Sequence, residues 1–233
     1  MRIEIWSDVV CPWCYIGKRH LEQALAGFAH RDEVEIEYRS FELDPSAPQV
    51  PVETTVESLA KKFGTDVAGA RELMTRADGA AAAAGLEFHH ADTPHARTID
   101  AHRLLHLAKD AGLQGELKEA LLAAYFARGE SMGDHEVLRR VAVESGLEPA
   151  RVDEVLSSDA YAGAVEADIA QARAYGAGGV PFYVVDQRYG VSGAQPAEVF
   201  AQLLDRAWAD AHPTLEVVGG GTADACGPDG CAI

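Results

Sequence analysis

Two cysteine pairs are the residues best placed to do chemistry. The sequence holds four cysteines, Cys11, Cys14, Cys226 and Cys231. They stand near opposite ends of the chain, unlike the spread cysteines of a small disulfide-stapled domain. The first pair is Cys11-Pro12-Trp13-Cys14. Before it, Ile3 and Ile5 alternate with Arg2, Glu4 and Trp6, a strand pattern. After it, Leu21, Ala24, Leu25 and Phe28 recur at helical spacing. The motif therefore opens a helix directly after a strand. A cysteine there meets unpaired backbone N–H groups and the positive end of the helix dipole, which favour a thiolate. Cys14, three residues on, lies on the same helical face and can close a small disulfide ring with Cys11. Pro12 suits the first turn, where a missing N–H loses no partner. Half a zinc site, or two cysteines buried as small hydrophobes, are alternative uses of such a pair. The strand–motif–helix context favours redox exchange, which needs no metal and no cofactor beyond the dithiol itself.

The second pair flanks Gly227-Pro228-Asp229-Gly230, a strong turn sequence that brings Cys226 and Cys231 close. The preceding Gly219-Gly220-Gly221 reads as a flexible connection. A relay or regulatory dithiol, carried to Cys11 by the tail, is the expectation. A tail with two idle thiols, or a four-cysteine zinc site, are the alternatives.

The elements that must position Cys11 and Cys14 follow from the patterning. Val34, Ile36 and Tyr38 alternate with Glu33, Glu35, Glu37 and Arg39, a second strand whose glutamates read as its solvated side. Strand, helix, strand predicts a βαβ start with a parallel pair. Pro45, Pro48 and Pro51 then break the pattern. From about residue 53 to 175 it is helical only, with stripes such as Leu59-Ala60-Phe63, Ala101-Leu104-Leu105-Ala108 and Leu117-Ala120-Leu121-Ala124. Asp134 is placed to cap one of these helices and Pro149 to open another. After Gly178-Gly179-Val180-Pro181, a hairpin is predicted from Phe182–Val185 and Tyr189–Ser192. A closing helix with Val199, Phe200, Leu203 and Leu204 inward follows. The expected class is α/β, one mixed sheet with helices on its faces. The expected division is a sheet-bearing unit from residues 1–45 and 176–210, an inserted helical unit at 46–175, and a tail at 211–233.

Composition removes some functions. The chain has 233 residues, 48% of them hydrophobic, with 20 Lys+Arg against 37 Asp+Glu and a formal charge of −17. Nucleic acid and anionic membrane are poor partners for such a surface. No signal-peptide core opens the chain and no run of about 18 apolar residues occurs, so the cytoplasm is the expected location.

Other polar groups are weaker signals. His89, His90, Asp92 and His95 read as a polar loop more simply than as metal ligands, and His102 and His106, four apart, lack a third ligand. Asp8 is placed to cap the first helix or to move protons for the cysteines. Trp6, Trp13 and Phe41 are candidates for an apolar rim, Trp13 the best of them because it sits in the motif.

The segment Ile5-Trp6-Ser7-Asp8-Val9-Val10-Cys11-Pro12-Trp13-Cys14-Tyr15-Ile16-Gly17 resembles the DsbA family of thioredoxin-fold oxidoreductases, and within it the FrnE-like branch. Phe41-Glu42-Leu43-Asp44-Pro45, the helix around His102, Gly179-Val180-Pro181-Phe182 and Val191-Ser192-Gly193-Ala194-Gln195 carry the same likeness. The resemblance implies a thioredoxin fold with a large helical insertion. It implies that Cys11 attacks and Cys14 resolves, that the bond before Pro181 is cis and faces the cysteines, and that the Val180 backbone pairs with an extended substrate. Partners would be disulfide or dithiol proteins, or small thiols. The expected activity is cytoplasmic thiol–disulfide exchange, with reduction or isomerisation favoured by a reducing compartment. Two other readings share the fold: glutathione-dependent enzymes of the kappa-class transferase or 2-hydroxychromene-2-carboxylate isomerase type, and a non-catalytic peptide-binding chaperone.

Overall fold

The computed structural model describes residues 1–213. Cys226 and Cys231, the expected relay pair, lie outside the described residues. Four strands form one mixed sheet in the order β2-β1-β3-β4. β1 (Arg2–Ser7) and β2 (Glu35–Ser40) run parallel, with Ile3 opposite Ile36. A parallel pair needs a crossover, and α1 (Pro12–Ala26) supplies it. β3 (Phe182–Val185) pairs antiparallel with β1, and β4 (Tyr189–Ser192) with β3. The turn between them places Asp186 and Gln187 at positive φ. Between β2 and β3 the chain is helical: α2 (Thr55–Phe63), α3 (Val67–Ala83), α4 (Ile99–Asp110), α5 (Gln114–Phe126), α6 (His135–Glu144), α7 (Pro149–Leu156) and α8 (Ala162–Ala174). The last helix among the described residues is α9 (Ala197–Ala211). This is a thioredoxin fold carrying a helical insertion.

Local signals explain the helix starts. The Asp134 side chain accepts from the Glu136 and Val137 amides and caps α6, and Pro149 opens α7. Thr54 and Glu57 close a capping box on α2.

The sheet buries both faces, and the two differ. Ile3, Ile5, Tyr183 and Val185 point toward Leu21 and Ala24 of α1, Phe28 just after it, and Phe200, Leu204 and Ala207 of α9. Each large apolar side chain buried there contributes about 1.5–3 kcal/mol. Val199 turns outward, contrary to the inward position its apolar character predicts. On the other face Trp6 and Val184 meet Ala172 of α8. Beside them lie charges. Glu37 is only 4% exposed, so it is not on a solvated strand side. The β2 edge is covered by α5 and α8, and the acids beneath are paired. Arg39 bridges Glu4, Glu37 and Asp168, and Lys109 and Arg2 add to Glu37. Strict alternation read one face as wet because it cannot see helices arriving from later in the chain.

The largest apolar cluster belongs to the insertion, with Leu104, Leu117, Leu121, Phe126, Leu138 and Val152 at its centre. Val9 and Tyr15 join the same cluster. The helical core is thus packed directly behind the cysteine motif. Among the described residues no helix is long and apolar enough to cross a membrane.

Candidate active site

β1 ends at Ser7, and after three intervening residues Cys11 caps α1. Its backbone is extended, φ −92° and ψ 113°, while its carbonyl already accepts from the Tyr15 amide at 3.3 Å. The Cys11 sulfur accepts from the Cys14 amide at 3.3 Å. Cys11 therefore holds the position usually given to serine or aspartate, where a side-chain acceptor satisfies an orphan N–H. Both cysteines are free thiols.

The Cys11 thiol also reaches the Val180 carbonyl at 3.6 Å. The Val180–Pro181 bond is cis. The turn holding it is tied down from the end of β4, where the Gly193 amide donates to the Pro181 carbonyl at 2.8 Å. Gly17 lets α1 approach this turn. A Cβ there would run into the Tyr183 hydroxyl and crowd Pro181 Cγ and Ala194 Cα, both at 3.3 Å.

Behind Cys11 the surroundings become ionisable. Burial pushes the Cys14 thiol well above its ordinary value, and the neighbouring Cys11 adds to the rise; Lys118 and the Asp8 amide oppose it. Asp8 is fully buried. It accepts from the Val9 amide at 2.7 Å and the Leu43 amide at 2.8 Å, and pairs with His102 Nε2 at 3.2 Å. Burial alone would raise the Asp8 carboxyl, but the His102 bond and charge, the Leu43 amide and Lys118 hold it below the usual range. Lys118, from α5, is 1% exposed. Its ammonium lies 3.5 Å from the Ser7 carbonyl and 5.7 Å from the centre of the Tyr38 ring. Burial lowers its proton affinity, and Cys14, Asp8 and Cys11 pull it back up. The Tyr183 hydroxyl, buried without a hydrogen-bond partner among the described residues, faces the same sulfurs and is pushed well up by burial and by Cys14.

The structure sorts the remaining sequence candidates. Trp13 stays half-buried at the helix start, with the Arg76 guanidinium 5.8 Å above its ring. Trp6 is no rim residue: it is fully buried and donates to the Asp168 carbonyl at 2.8 Å. Phe41 packs against that same cluster. Asp8 does not cap α1, because Cys11 itself does. His102 and His106 turn to different carboxylates, Asp8 and Asp168, so they do not converge on one point. The loop group also disperses. His89 pairs with Glu87, His95 with Asp44, and Asp92 with Arg71. His90 is buried against Phe88 and Phe126, which lowers it to about 4.

Sequence reasoning missed Lys118. A signal was present: Lys118, Leu122 and Tyr125 share a helical face at spacings of four and three, so the lysine stood on an apolar stripe.

Comparison with known proteins identifies the fold and the family. A probable DsbA oxidoreductase from Streptomyces coelicolor is 46% identical, covers 100% of this chain and 99% of its own, and superposes with a TM-score of 0.85. A cytosolic disulfide reductase, DsbM from Pseudomonas aeruginosa, solved with glutathione, shares the fold at 14% identity and a TM-score of 0.62 over 88% of this chain and 98% of its own. A 2-hydroxychromene-2-carboxylate isomerase shares it at 12% identity and 0.63, over 91% and 98%. The DSBA-like thioredoxin domain is matched by residues 2–205, nearly all of the described chain, and the protein belongs to that family.

Proposed function

We propose that the protein is a thiol–disulfide oxidoreductase working through Cys11 and Cys14. The observation carrying this is the arrangement at the start of α1. Two free thiols share one helical turn, and the sulfur of the first lies against the Val180 carbonyl of the turn that leads into β3. In the reductive direction Cys11 attacks a substrate disulfide and one half leaves as a thiolate. Cys14 then attacks Cys11 and the second half leaves. Run backwards, the same steps oxidise or isomerise thiols. Val180 is assigned to pair its backbone with an extended substrate beside Cys11, and Trp13 to give that substrate an apolar neighbour.

Disulfide or dithiol proteins and small thiols are the proposed partners, and glutathione is supported by the glutathione-bound reductase that shares the fold. The cytosolic description of that relative supports a cytoplasmic role, where a reducing poise favours reduction or isomerisation. The pair of cysteines favours exchange over the isomerase chemistry of the other relative, since an attacking thiol with a resolving partner is what exchange requires. The test is redox titration of the Cys11–Cys14 pair against glutathione buffers, read by mass spectrometry after alkylation. A single two-electron transition is expected. A pair that stays reduced in every buffer contradicts the proposal.

A further inference from the structure

The connection between β4 and α9, Gly193 to Gln195, is held from two sides. On one side the Gly193 amide donates to the Pro181 carbonyl at 2.8 Å. On the other, Nδ1 of His20, on α1, lies 2.8 Å from the Gln195 carbonyl. A carbonyl only accepts, so Nδ1 carries the hydrogen and donates it. The first amides of α9 do not compete for that carbonyl, because Val199 and Phe200 both turn to the Pro196 carbonyl. The connection is also tight within itself. The Gln195 amide donates to the Gly193 carbonyl at 2.9 Å, and Gln195 Nε2 donates to the Ser192 carbonyl at 2.8 Å. Gly193 stands at φ 81°, a conformation that side chains resist. Gly17, three residues before His20 on the same side of α1, leaves the space that Ala194 and Pro181 approach.

A path of hydrogen bonds therefore runs from the helix that Cys11 caps, through His20, Gln195 and Gly193, to the residue that follows the cis bond. Its two ends face each other, with the Cys11 sulfur 3.6 Å from the Val180 carbonyl. Leu21 and Ala24 seat α1 on the sheet by apolar contact, which has no direction of its own. The half-buried His20 adds a directional link from that helix to the connection.

We propose that His20 is a positioning residue for the substrate. By bracing the connection against α1, it holds the Val180 backbone where a disulfide with peptide groups beside its sulfur can pair with it and meet Cys11. This rests on the oxidoreductase reading. His20 exchanges no proton or electron in the reaction. Its contribution is a backbone already in place, which spares part of the ordering cost of binding.

The test is the rate at which Cys11 forms its mixed disulfide, read by acid quench and peptide mapping in a Cys14→Ser parent, where the adduct accumulates. Two disulfides are compared. Glutathione disulfide carries peptide groups on both sides of its cysteines, and bis(2-hydroxyethyl) disulfide carries none. His20→Leu should slow the glutathione reaction about 10-fold, as loss of one hydrogen bond does. It should leave the other reaction within about twofold of the parent. His20→Asn, whose side-chain amide can donate from nearly the same place as Nδ1, should recover most of the glutathione rate. An equal loss with both disulfides overturns the proposal, since it marks a general disturbance of the fold or of the thiol. So does a glutathione rate within about twofold of the parent in His20→Leu, or an Asn variant as slow as Leu. Should His20→Leu fail to fold, Gln195→Ala, which frees the connection from Ser192, takes its place. A loss confined to glutathione disulfide then supports the proposal, and an equal loss or none overturns it. A parent whose Cys11 reacts with neither disulfide defeats the oxidoreductase reading and this one together, whereas unselective variants defeat this one alone.

Discussion

Cys11 and Cys14 are covered almost equally, at 3% and 4% exposure, but their nearest partners differ. Cys11 sits outside the helix proper, capping it, with a backbone carbonyl of the turn before β3 as its neighbour. Cys14 points into the junction between the sheet and the insertion, where Asp8, His102 and Lys118 gather. Exposure therefore does not separate the sulfur proposed to attack from the one proposed to resolve. Their partners do. One sulfur lies against the Val180 carbonyl of the turn that leads into β3, the place proposed for an extended substrate. The other is kept as a thiol by burial and has ionisable groups behind it.

The contrast can be broken in four ways. Cys11→Ser should remove the attacking sulfur and lower insulin-disulfide reduction to the uncatalysed background. Cys14→Ser should leave the attack intact but stop resolution, so a mixed disulfide accumulates where the wild type shows only a transient one by mass spectrometry. Asp8→Asn, which breaks a buried pair with His102, should cost about 3 kcal/mol in urea denaturation. Its pH dependence has a definite sign. The Asp8 carboxyl is lowered in the folded protein, so its contribution is complete above its unfolded value of about 4 and fades as pH falls through the folded one. Wild-type stability should therefore fall more steeply than that of Asp8→Asn in acid. Gly17→Ala should have the smallest effect, about 1–3 kcal/mol, by forcing Tyr183 and the Pro181 turn away from α1. A Gly17→Ala protein as stable as wild type would show that this close approach is not needed.

The Cys11 side was the legible one. A cysteine motif between a strand pattern and a helix pattern is local, and Pro12 marks the helix start within the same few residues. The cis bond at Pro181 came from resemblance to a family, since an X–Pro dipeptide alone does not announce it. The Cys14 side was not legible as an assembly. The sequence offers Asp8 as a helix cap or a proton carrier for the cysteines, with nothing to pair it with His102. His102 and Lys118 arrive on α4 and α5, from far along the chain, and only packing brings them to the motif. His102 looked like one of two helix histidines, and its real distinction from His106 is which carboxylate it meets. Glu37 failed for the same reason, because an alternating strand records two faces but not what later covers them.

The most direct test of the account is peptide mapping of the Cys14→Ser protein after reaction with glutathione disulfide. In the peptide that holds the motif, the account predicts a glutathione on Cys11, released by a reducing agent. A Cys14→Ser protein that takes up no glutathione at Cys11, while Cys11→Ser takes it up at Cys14, would contradict the assignment of attack to one sulfur and resolution to the other.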